Sequence, residues 1–381
     1  MNFNAQVQSS KFKVQGSRFV PRTSHFTLRH SEDAIALIIV MIVIFVLTML
    51  AAGFAIAMKV ETKLAQNAGN ETELQWMGRS GVQYARWVLA TEAAFCAQQP
   101  DSLNSIWAGG SGGFCATNGP LLDVQKEVHL GHGYFTWKIT DTERKWNINT
   151  VNESVLNHAL VAMGGDASQM TPVVNSILDW VHPMGNPRLQ GTEPSFYQNL
   201  DHPYDAKNGA MDDISELMLV HGVTPEMYWG NSSPNHPPGY FLQHNAPFGS
   251  SGQPPSIEVG LVELFTTLSS GRVNINTASS SVLQLIPGVD PIAADAIVGA
   301  RGGEDDGTGL TGPYHSVDQV RRVPGVTLEL VRLLTPYCDV RSRTFEVEIT
   351  ANAGGSTRTY YALLIRNNPR DVQVVNFYWK Y

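Results

Sequence analysis

Few residues of this 381-residue chain have the types and spacing needed for chemistry. Its 11 histidines form no His-Glu-x-x-His motif, no Walker-type phosphate loop is present, and the three cysteines lack zinc-site spacing. Cys96 and Cys115 flank a glycine-rich stretch, and they could form a disulfide in an oxidising compartment or remain two free thiols. Cys338 is expected to be a small buried apolar residue. The sequence therefore predicts no enzyme and favours a role in binding or assembly.

The composition is that of a folded protein with an acidic balance. The chain is 43% hydrophobic and 16% charged, and its formal net charge is −8. These values exclude a disordered or collagen-like chain. Because affinity for phosphates comes from clustered Lys and Arg, the acidic balance also disfavours a protein whose main partner is nucleic acid.

The dominant feature of the sequence is an apolar run at residues 35–58 that contains no charged residue. A helix of this length spans a hydrocarbon core of about 30 Å with some tilt. Five basic residues against two acidic ones precede the run, which favours a cytoplasmic N-terminus and an exported C-terminal domain. A cleaved signal peptide is the alternative, but its apolar region would span only about 7–15 residues. We therefore expect a retained single-pass anchor that contacts membrane lipid.

The anchor is expected to continue as a longer amphipathic helix. No proline occurs between Pro21 and Pro100, so one helix can extend over residues 35–99. One apolar stripe at steps of three and four residues follows the membrane run and consists of Leu74, Met77, Gly81, Tyr84 and Val88. We expect this second half of the helix to pack on the exported domain.

Four stretches of β-forming residues predict a sheet. Residues 134–140 alternate and form the first, and residues 344–351, 357–366 and 372–378 form three more, separated by turn sequences. The long stretch between the first strand and the other three has helical and loop patterns. We therefore expect an α+β fold in which a small antiparallel sheet is interrupted by a large, mainly helical insertion.

The insertion contains an internal repeat. The tetrapeptide Asn-Ile-Asn-Thr begins at Asn147 and again at Asn274, and residues 213–228 resemble residues 316–331. Each copy has a capping residue, an apolar helix and a Gly-Val-Thr turn before another helix. The second copy, at residues 285–301 and 323–334, resembles a helix-hairpin-helix module of the SAM-like kind. Such hairpins bind DNA phosphates through backbone N–H groups, or they only pack helices together, and the surrounding acidic residues favour packing.

The order of these elements resembles the minor pseudopilin K family of type II secretion systems. The most distinctive stretch is residues 176–204, followed by Ile-Ser-Glu-Leu-Met-Leu-Val-His-Gly-Val-Thr-Pro-Glu-Met-Tyr at residues 214–228. The resemblance implies a pilin-like long helix packed on the sheet. The expected divisions are a cytoplasmic leader (1–34), the transmembrane half-helix (35–58), the amphipathic helix with the first part of the pilin domain (59–146), the insertion of two related modules (147–340) and a C-terminal β-meander (341–381).

The resemblance also implies processing and partners. A prepilin peptidase would cut between Ala34 and Ile35, after which the new N-terminus is usually methylated. The mature subunit would join I- and J-type minor pseudopilins, the major pseudopilin and the inner-membrane assembly platform, with its C-terminal domain in the bacterial periplasm. The chain departs from the family at the cut, because Ala34 replaces the usual Gly and acidic residues replace the usual basic neighbours.

Ile39 would be the fifth residue of the mature chain, where most pilin-like subunits have Glu. That Glu pairs with the amine of the neighbour ahead, and a tip subunit has no such neighbour. An unpaired carboxylate in the bilayer costs about 2.5 kcal/mol or more, so an apolar residue suits a tip role. The alternative is that Ile39 is one more lipid-facing residue.

Calcium binding is a further implication of the resemblance. Carboxylates supply the hard oxygen ligands that calcium needs, and the candidates are Asp179, Glu193, Asp201 and Asp205, or the run of acidic residues at 304–306. No stretch has the EF-hand pattern, and solvated surface acids are the alternative.

Two functions are compatible with these sequence features. The favoured one is a tip subunit that primes pseudopilus assembly and contributes to protein export across the outer membrane. The alternative is a membrane-anchored DNA-binding protein that uses the helix-hairpin-helix modules, although nucleic acid is not expected as a partner on charge grounds.

Overall fold

The computed structural model describes residues 31–112, 119–183, 188–231, 258–303 and 312–379. Its contacts divide the chain into two compact units, Met1–Ala68 and Gly69–Tyr381. The first helix, α1 (Ser31–Phe95, 65 residues), contributes residues to both units. The predicted continuous helix is therefore present, and it ends at Phe95, four residues before the limit that the absence of proline allowed.

The second unit contains a five-stranded antiparallel sheet. Its strands are β1 (Glu127–Leu130), β2 (Gly133–Asp141), β7 (Thr344–Ala353), β8 (Ser356–Asn368) and β9 (Asp371–Trp379), paired in the order β1-β2-β7-β8-β9. All four predicted strands are confirmed, while β1 was not predicted because its four residues are too short to show alternation. Gly354 and Gly355 join β7 to β8 with positive φ values of 57° and 81°, as a two-residue hairpin with right-handed strand twist requires.

The outer half of α1 packs against one face of this sheet. Leu74, Met77 and Val88 from the predicted stripe are buried against the strand residues Ile349 and Tyr360. Two glycines of α1 permit the close approach. A Cβ atom added at Gly78 would lie 2.5 Å from the Tyr360 ring, and one added at Gly81 would lie 2.6 Å from Ile349. The predicted packing of the amphipathic half-helix is confirmed, and its partner is the sheet of the second unit.

The insertion enters after β2 and returns at β7, and it is mainly helical. Its α-helices are α2 (Glu153–Ala162), α3 (Ala167–Val181), α4 (Pro194–Gln198), α5 (Pro225–Trp229), α6 (Leu261–Leu264), α7 (Ser280–Leu283), α8 (Pro291–Ala300) and α9 (Leu328–Leu334). Two short parallel pairs complete it, β3 (Trp146–Asn147) with β4 (Phe265–Thr266) and β5 (Val273–Asn274) with β6 (Cys338–Asp339). The helices share one hydrophobic core that includes Ile148, Leu156, Ile275 and Leu283.

Both copies of the repeat have matching local structure. We name residues 146–266 the first module and residues 273–339 the second module; each opens with a strand and closes when a later strand pairs in parallel with it. In each module a six-residue 3-10 helix (Ile214–Leu219 or Val317–Arg322) precedes a turn and an α-helix. Sequence patterning had predicted an α-helix at these two positions. The turn glycines, Gly222 and Gly325, have φ values of 86° and 89°.

The second asparagine of each Asn-Ile-Asn-Thr tetrapeptide clamps a distant backbone residue. Asn149 Oδ1 accepts the N–H of Met211 at 2.8 Å, and its Nδ2 donates to the carbonyl of the same residue at 3.0 Å. Asn276 makes the same two bonds to Tyr314, both at 2.8 Å. Met211 and Tyr314 each lie two residues before the N-cap of their 3-10 helix. The repeated tetrapeptide therefore closes each module by the same pair of hydrogen bonds.

Candidate functional site

The first candidate site is the apolar part of α1. Every side chain at residues 35–58 is exposed, and none carries a charge. A helix that is apolar on all sides over this length fits a single-pass membrane anchor. Ile39 lies within this apolar surface with 56% of its area exposed. Ala34 and Ile35 also belong to α1, and cleavage between them stays a prediction, as does the tip role of Ile39.

A second exposed surface lies farther along α1. Trp76 and Trp87, which are 11 residues and three helical turns apart, are 60% and 42% exposed. The Arg79 guanidinium lies 5.3 Å from the centre of the Trp76 ring, and the Tyr84 ring lies 5.5 Å from that of Trp87. Exposed aromatic side chains on one helix face are typical of a surface that contacts another protein. We name Trp76 and Trp87 the tryptophan stripe.

The third candidate is a group of buried acids where the sheet meets the second module. We name Glu92, Asp101, Asp141 and Glu143 the acid cluster; each is at most 8% exposed. They come from the end of α1, the following loop, the end of β2 and a short 3-10 helix (Thr142–Arg144). No local sequence pattern predicted this cluster, because its members are adjacent only after α1, the sheet and the insertion have folded together.

Asp141 connects β2 to the second module. Its Oδ2 accepts hydrogen bonds from Thr277 Oγ1 at 2.5 Å, Ser342 Oγ at 2.6 Å and Asn274 Nδ2 at 3.2 Å. Its Oδ1 accepts the N–H of Glu143 at 2.8 Å. Thr277 and Asn274 are the last and first residues of the second Asn-Ile-Asn-Thr tetrapeptide. The tetrapeptide of the second module is thus bonded directly to the sheet.

The other three acids bind neighbouring segments in the same way. Glu92 accepts the N–H groups of Ile106 and Trp107, both at 3.1 Å. Asp101 accepts two bonds from Arg366 Nη2, at 2.6 and 2.7 Å, together with the N–H of Ser342. Glu143 Oε1 accepts the N–H of Arg343 at 3.0 Å and the hydroxyl of Thr344 at 3.2 Å.

Burial dominates the electrostatics of these carboxyl groups. It raises the pKa of Glu92 and of Glu143 to about 7, although hydrogen bonds from backbone N–H groups oppose the shift. Burial likewise raises the pKa of Asp141 to about 6 against the hydroxyls of Ser342 and Thr277. A cavity of about 600 Å³ adjoins the cluster and is lined in part by Glu92, Asp101 and Glu143.

Three of the four proposed calcium ligands are already engaged with near neighbours. Asp179 accepts the N–H of Arg188 and lies 3.8 Å from its guanidinium. Glu193 accepts the hydroxyl of Ser195, and Asp205 accepts the amide of Gln198. Within the described residues, no group of three or more His, Cys, Asp or Glu side chains is placed to hold a metal. As placed, these residues, Asp201 among them, do not form a calcium site, and calcium binding stays a prediction; residues 304–306 lie outside the described ranges.

The structure tests the prediction for Cys338 but not the pairing of Cys96 with Cys115. Cys338 is free and fully buried, and burial raises the pKa of its thiol to about 12, so it is an apolar core residue as predicted. Cys96 is buried near the end of α1. Cys115 lies outside the described residues, so the pairing of these two cysteines stays a prediction.

The sequence also contains one short pattern that is found in hydrolases. Residues 109–113 match the spacing Gly-x-Ser-x-Gly, with Ser111 in the position of a nucleophile. A nucleophile elbow lies between a strand and a helix. The segment instead follows a 3-10 helix (Ile106–Ala108), and residues 111 and 112 have no regular structure. The spacing therefore does not carry its usual structural context.

Two arginines of the helix-hairpin-helix in the second module bond to backbone carbonyls of the same module. Arg301 donates to the carbonyls of Ile275 and Ala278 at 2.7 and 2.6 Å. Arg322 donates to the carbonyl of Gly312 and lies 4.5 Å from the centre of the Tyr314 ring. These two guanidinium groups hold the module together, which favours the packing interpretation of the hairpin over phosphate binding.

Comparisons with known proteins agree with this architecture. The family model described as type II secretion system (T2SS) protein K matches residues 139–229, and the helix-hairpin-helix motif model matches residues 269–338. Type II secretion system protein K of Pectobacterium carotovorum subsp. carotovorum is 25% identical over 111 residues, which are 25% of this chain and 34% of that protein. The Pseudomonas aeruginosa protein of the same name is 24% identical over 282 residues, which are 73% of this chain and 74% of that protein.

A solved structure supports the fold. A chain in the crystal structure of the GspK-GspI-GspJ complex from enterotoxigenic Escherichia coli matches with a TM-score of 0.58 and 16% identity. The match covers 83% of this chain and 99% of that chain. The pilin-like helix on an antiparallel sheet and the large helical insertion thus recur in a solved protein. The chain is therefore similar to type II secretion system protein K in the family model and the curated relatives, and the solved structure shares its fold.

Proposed function

We propose that the chain is a minor pseudopilin at the tip of the type II secretion pseudopilus, where it primes assembly and contributes to protein export across the outer membrane. The observation that carries this proposal is α1, whose first part is apolar on every side while its outer part packs on the sheet. The insertion adds a bulky body to that pilin-like sheet, which suits a terminal position. Its role is structural and not enzymatic.

The proposed partners are I- and J-type minor pseudopilins. The matched structure is a complex of GspK with GspI and GspJ, and the tryptophan stripe of this chain offers an exposed apolar helix face to such neighbours. We further propose that the N-terminus is cytoplasmic and the second unit periplasmic, following the basic residues before the anchor.

The proposal is tested by deleting the gene for this chain in its host and measuring type II export and pseudopilus assembly. Export is expected to stop and to return when the intact chain is supplied. Mass spectrometry of the mature chain is expected to show an N-terminus at Ile35, methylated. Unimpaired export in the deletion strain would remove the proposed function.

The tip role is tested separately at Ile39. Ile39→Glu restores the carboxylate that internal subunits have, and Ile42→Glu places the same charge one turn later on the same apolar surface. If Ile39 suits the tip, Ile39→Glu is expected to reduce export and co-purified I- and J-type partners more than Ile42→Glu does. Equal losses of membrane insertion would instead mark Ile39 as an ordinary lipid-facing residue.

A DNA-binding function is the second candidate, because residues 269–338 match the helix-hairpin-helix model. The internal use of Arg301 and Arg322 and the acidic net charge argue against it. The full-length protein in detergent is expected to show no binding to duplex DNA at low salt, as measured by fluorescence anisotropy. Salt-dependent binding there would favour the DNA-binding candidate.

A further inference from the structure

The acid cluster contains more carboxyl groups than buried cations. Arg366 is the one Lys or Arg that is fully buried among the described residues, and it bonds to Asp101. Glu92, Asp141 and Glu143 are therefore left with N–H and O–H donors as their main partners. The other charged residues that line the adjoining cavity are Arg272, Asp339, Arg341 and Arg343, and two of them, Arg272 and Asp339, pair with each other.

The same carboxyl groups connect parts of the molecule that are distant in sequence. Asp141 bonds β2 to Thr277 and Asn274 of the second module, and Glu143 bonds to Arg343 and Thr344 at the start of β7. Asn274 also donates to the carbonyl of Asp101 at 3.0 Å. We name this set of contacts the joint. A change in the charge of the cluster consequently acts on the contact between the sheet and the second module.

The cavity gives solvent access to part of the cluster. Glu92, Asp101 and Glu143 line it, whereas Asp141 is not among its lining residues. Protons can therefore reach Glu92 and Glu143 without unfolding of the unit. Burying an ionised carboxylate without a cation is costly, so the compact joint favours the protonated forms.

We propose that the acid cluster is a proton-dependent latch, which holds the second module on the sheet while Glu92 and Glu143 are protonated and loosens the joint when these two carboxyl groups ionise. This device goes beyond the proposed function and does not depend on it.

The sign of the effect follows from the raised pKa values. Glu92 and Glu143 titrate at about 7 in the closed joint, and an open, hydrated joint returns them towards 4.5. Between these values the closed form holds protons that the open form has lost. The latch is therefore strongest below the lower value, and its strength is lost as the pH rises towards 7. Most native carboxylates, whose pKa is lowered, have the opposite dependence.

Hydrogen exchange of the full-length protein in detergent at pH 5 and pH 7 tests the latch. The backbone N–H groups of Ser342 and Arg343 report on the joint, because they donate to Asp101 and Glu143. After correction for intrinsic exchange rates, their opening constants are expected to be at least tenfold larger at pH 7. The N–H of Ile349, in the middle of β7, is the internal reference and is expected to change little.

Two Glu→Gln variants replace an ionisable carboxyl group with a neutral amide of nearly the same shape. Glu143→Gln still accepts the N–H of Arg343 but cannot ionise, and Glu92→Gln does the same towards Ile106 and Trp107. Each is expected to lower the opening constant at pH 7 and to flatten the pH dependence. Glu329→Gln removes an exposed acid of the second module and, as the matched control, is expected to keep the full pH dependence.

Two results would overturn the latch. One is an opening constant for Ser342 and Arg343 that is equal at the two pH values or larger at pH 5. The other is a wild-type pH dependence that persists in both Glu143→Gln and Glu92→Gln. Because neither measurement involves export or partners, a failure here is distinguishable from a failure of the proposed function.

Discussion

The two modules of the insertion have the same internal design and different surroundings. In both, the second asparagine of the tetrapeptide clamps a backbone residue, and the first accepts the N–H two residues later at 2.9 Å. The first asparagines differ in what their Nδ2 atoms bind. Asn147 donates to the carbonyl of Ser269, beside its own module. Asn274 donates to Asp101, Asp141 and Ser342, which belong to the loop after α1, to β2 and to the segment before β7.

The different partners of Asn147 and Asn274 show which contacts belong to the motif and which depend on its surroundings. The tetrapeptide determines a turn and a clamp in either setting, since both depend on contacts within one module. Attachment to the sheet requires acids outside the motif, and within the described ranges it is the tetrapeptide of the second module that bonds to them. The repeat thus explains how each module folds, and the acid cluster explains why the second module is bound to the sheet.

Replacing the first asparagines should show the largest contrast. Asn274→Ala removes three hydrogen bonds to buried partners at Asp101, Asp141 and Ser342, at about 1–3 kcal/mol each, so we expect a loss of about 3–5 kcal/mol. Asn147→Ala removes one such bond and should cost about 1–2 kcal/mol. The measurement is urea unfolding of the full-length protein in detergent. Equal losses would show that attachment to the sheet adds nothing to the shared turn.

Replacing the clamping asparagines should give similar losses in the two modules. Asn149→Ala and Asn276→Ala each remove the partner of one N–H and one C=O, at Met211 or Tyr314, and should cost about 2 kcal/mol. Asn149→Ala also removes a bond to the carbonyl of Thr267, but Asn149 is half-buried whereas Asn276 is 1% exposed, so the two losses should be close. The same urea titrations measure both. A several-fold difference between them would contradict the common design of the modules.

The turn glycines should give the smallest contrast. Gly222→Ala and Gly325→Ala both place a Cβ on a residue with positive φ, at about 1 kcal/mol. A Cβ at Gly222 would also lie 2.9 Å from Val173, whereas Gly325 faces open space. The loss at Gly222 is therefore expected to exceed that at Gly325 by a few tenths of a kcal/mol or more, measured by differential scanning calorimetry. A larger loss at Gly325 would contradict this interpretation.

Much of the fold could be predicted from local pattern. Apolar residues recur on the buried face of an element, so their spacing predicts that face. This spacing identified the stripe from Leu74 to Val88 and the alternation of residues 344–351. The repeat was visible because its turns and caps need particular residues. The 3-10 form of residues 214–219 was not predicted, because its apolar spacing does not distinguish it from an α-helix.

The candidate site was less predictable, for a physical reason. Glu92, Asp141 and Arg366 are far apart in the chain, and each is surrounded by ordinary residues. Their interaction arises from burial, which depends on how α1, the sheet and the second module pack. The apolar anchor, by contrast, was evident, since its property is a continuous run of one residue type. The helices and strands were therefore predictable from the sequence, whereas the polar contacts between them were not.

The pairing of β2 with β7 has a consequence for how this architecture could arise. Asp141 and Phe345 are direct partners in the ladder, so the polypeptide leaves the sheet and comes back at almost one point. A segment that departs and returns at neighbouring positions can be exchanged, lengthened or excised while the strand order stays intact. The helical insertion therefore occupies the place of the turn in a β2–β7 hairpin, and a short linker between these two strands would leave an ordinary antiparallel meander.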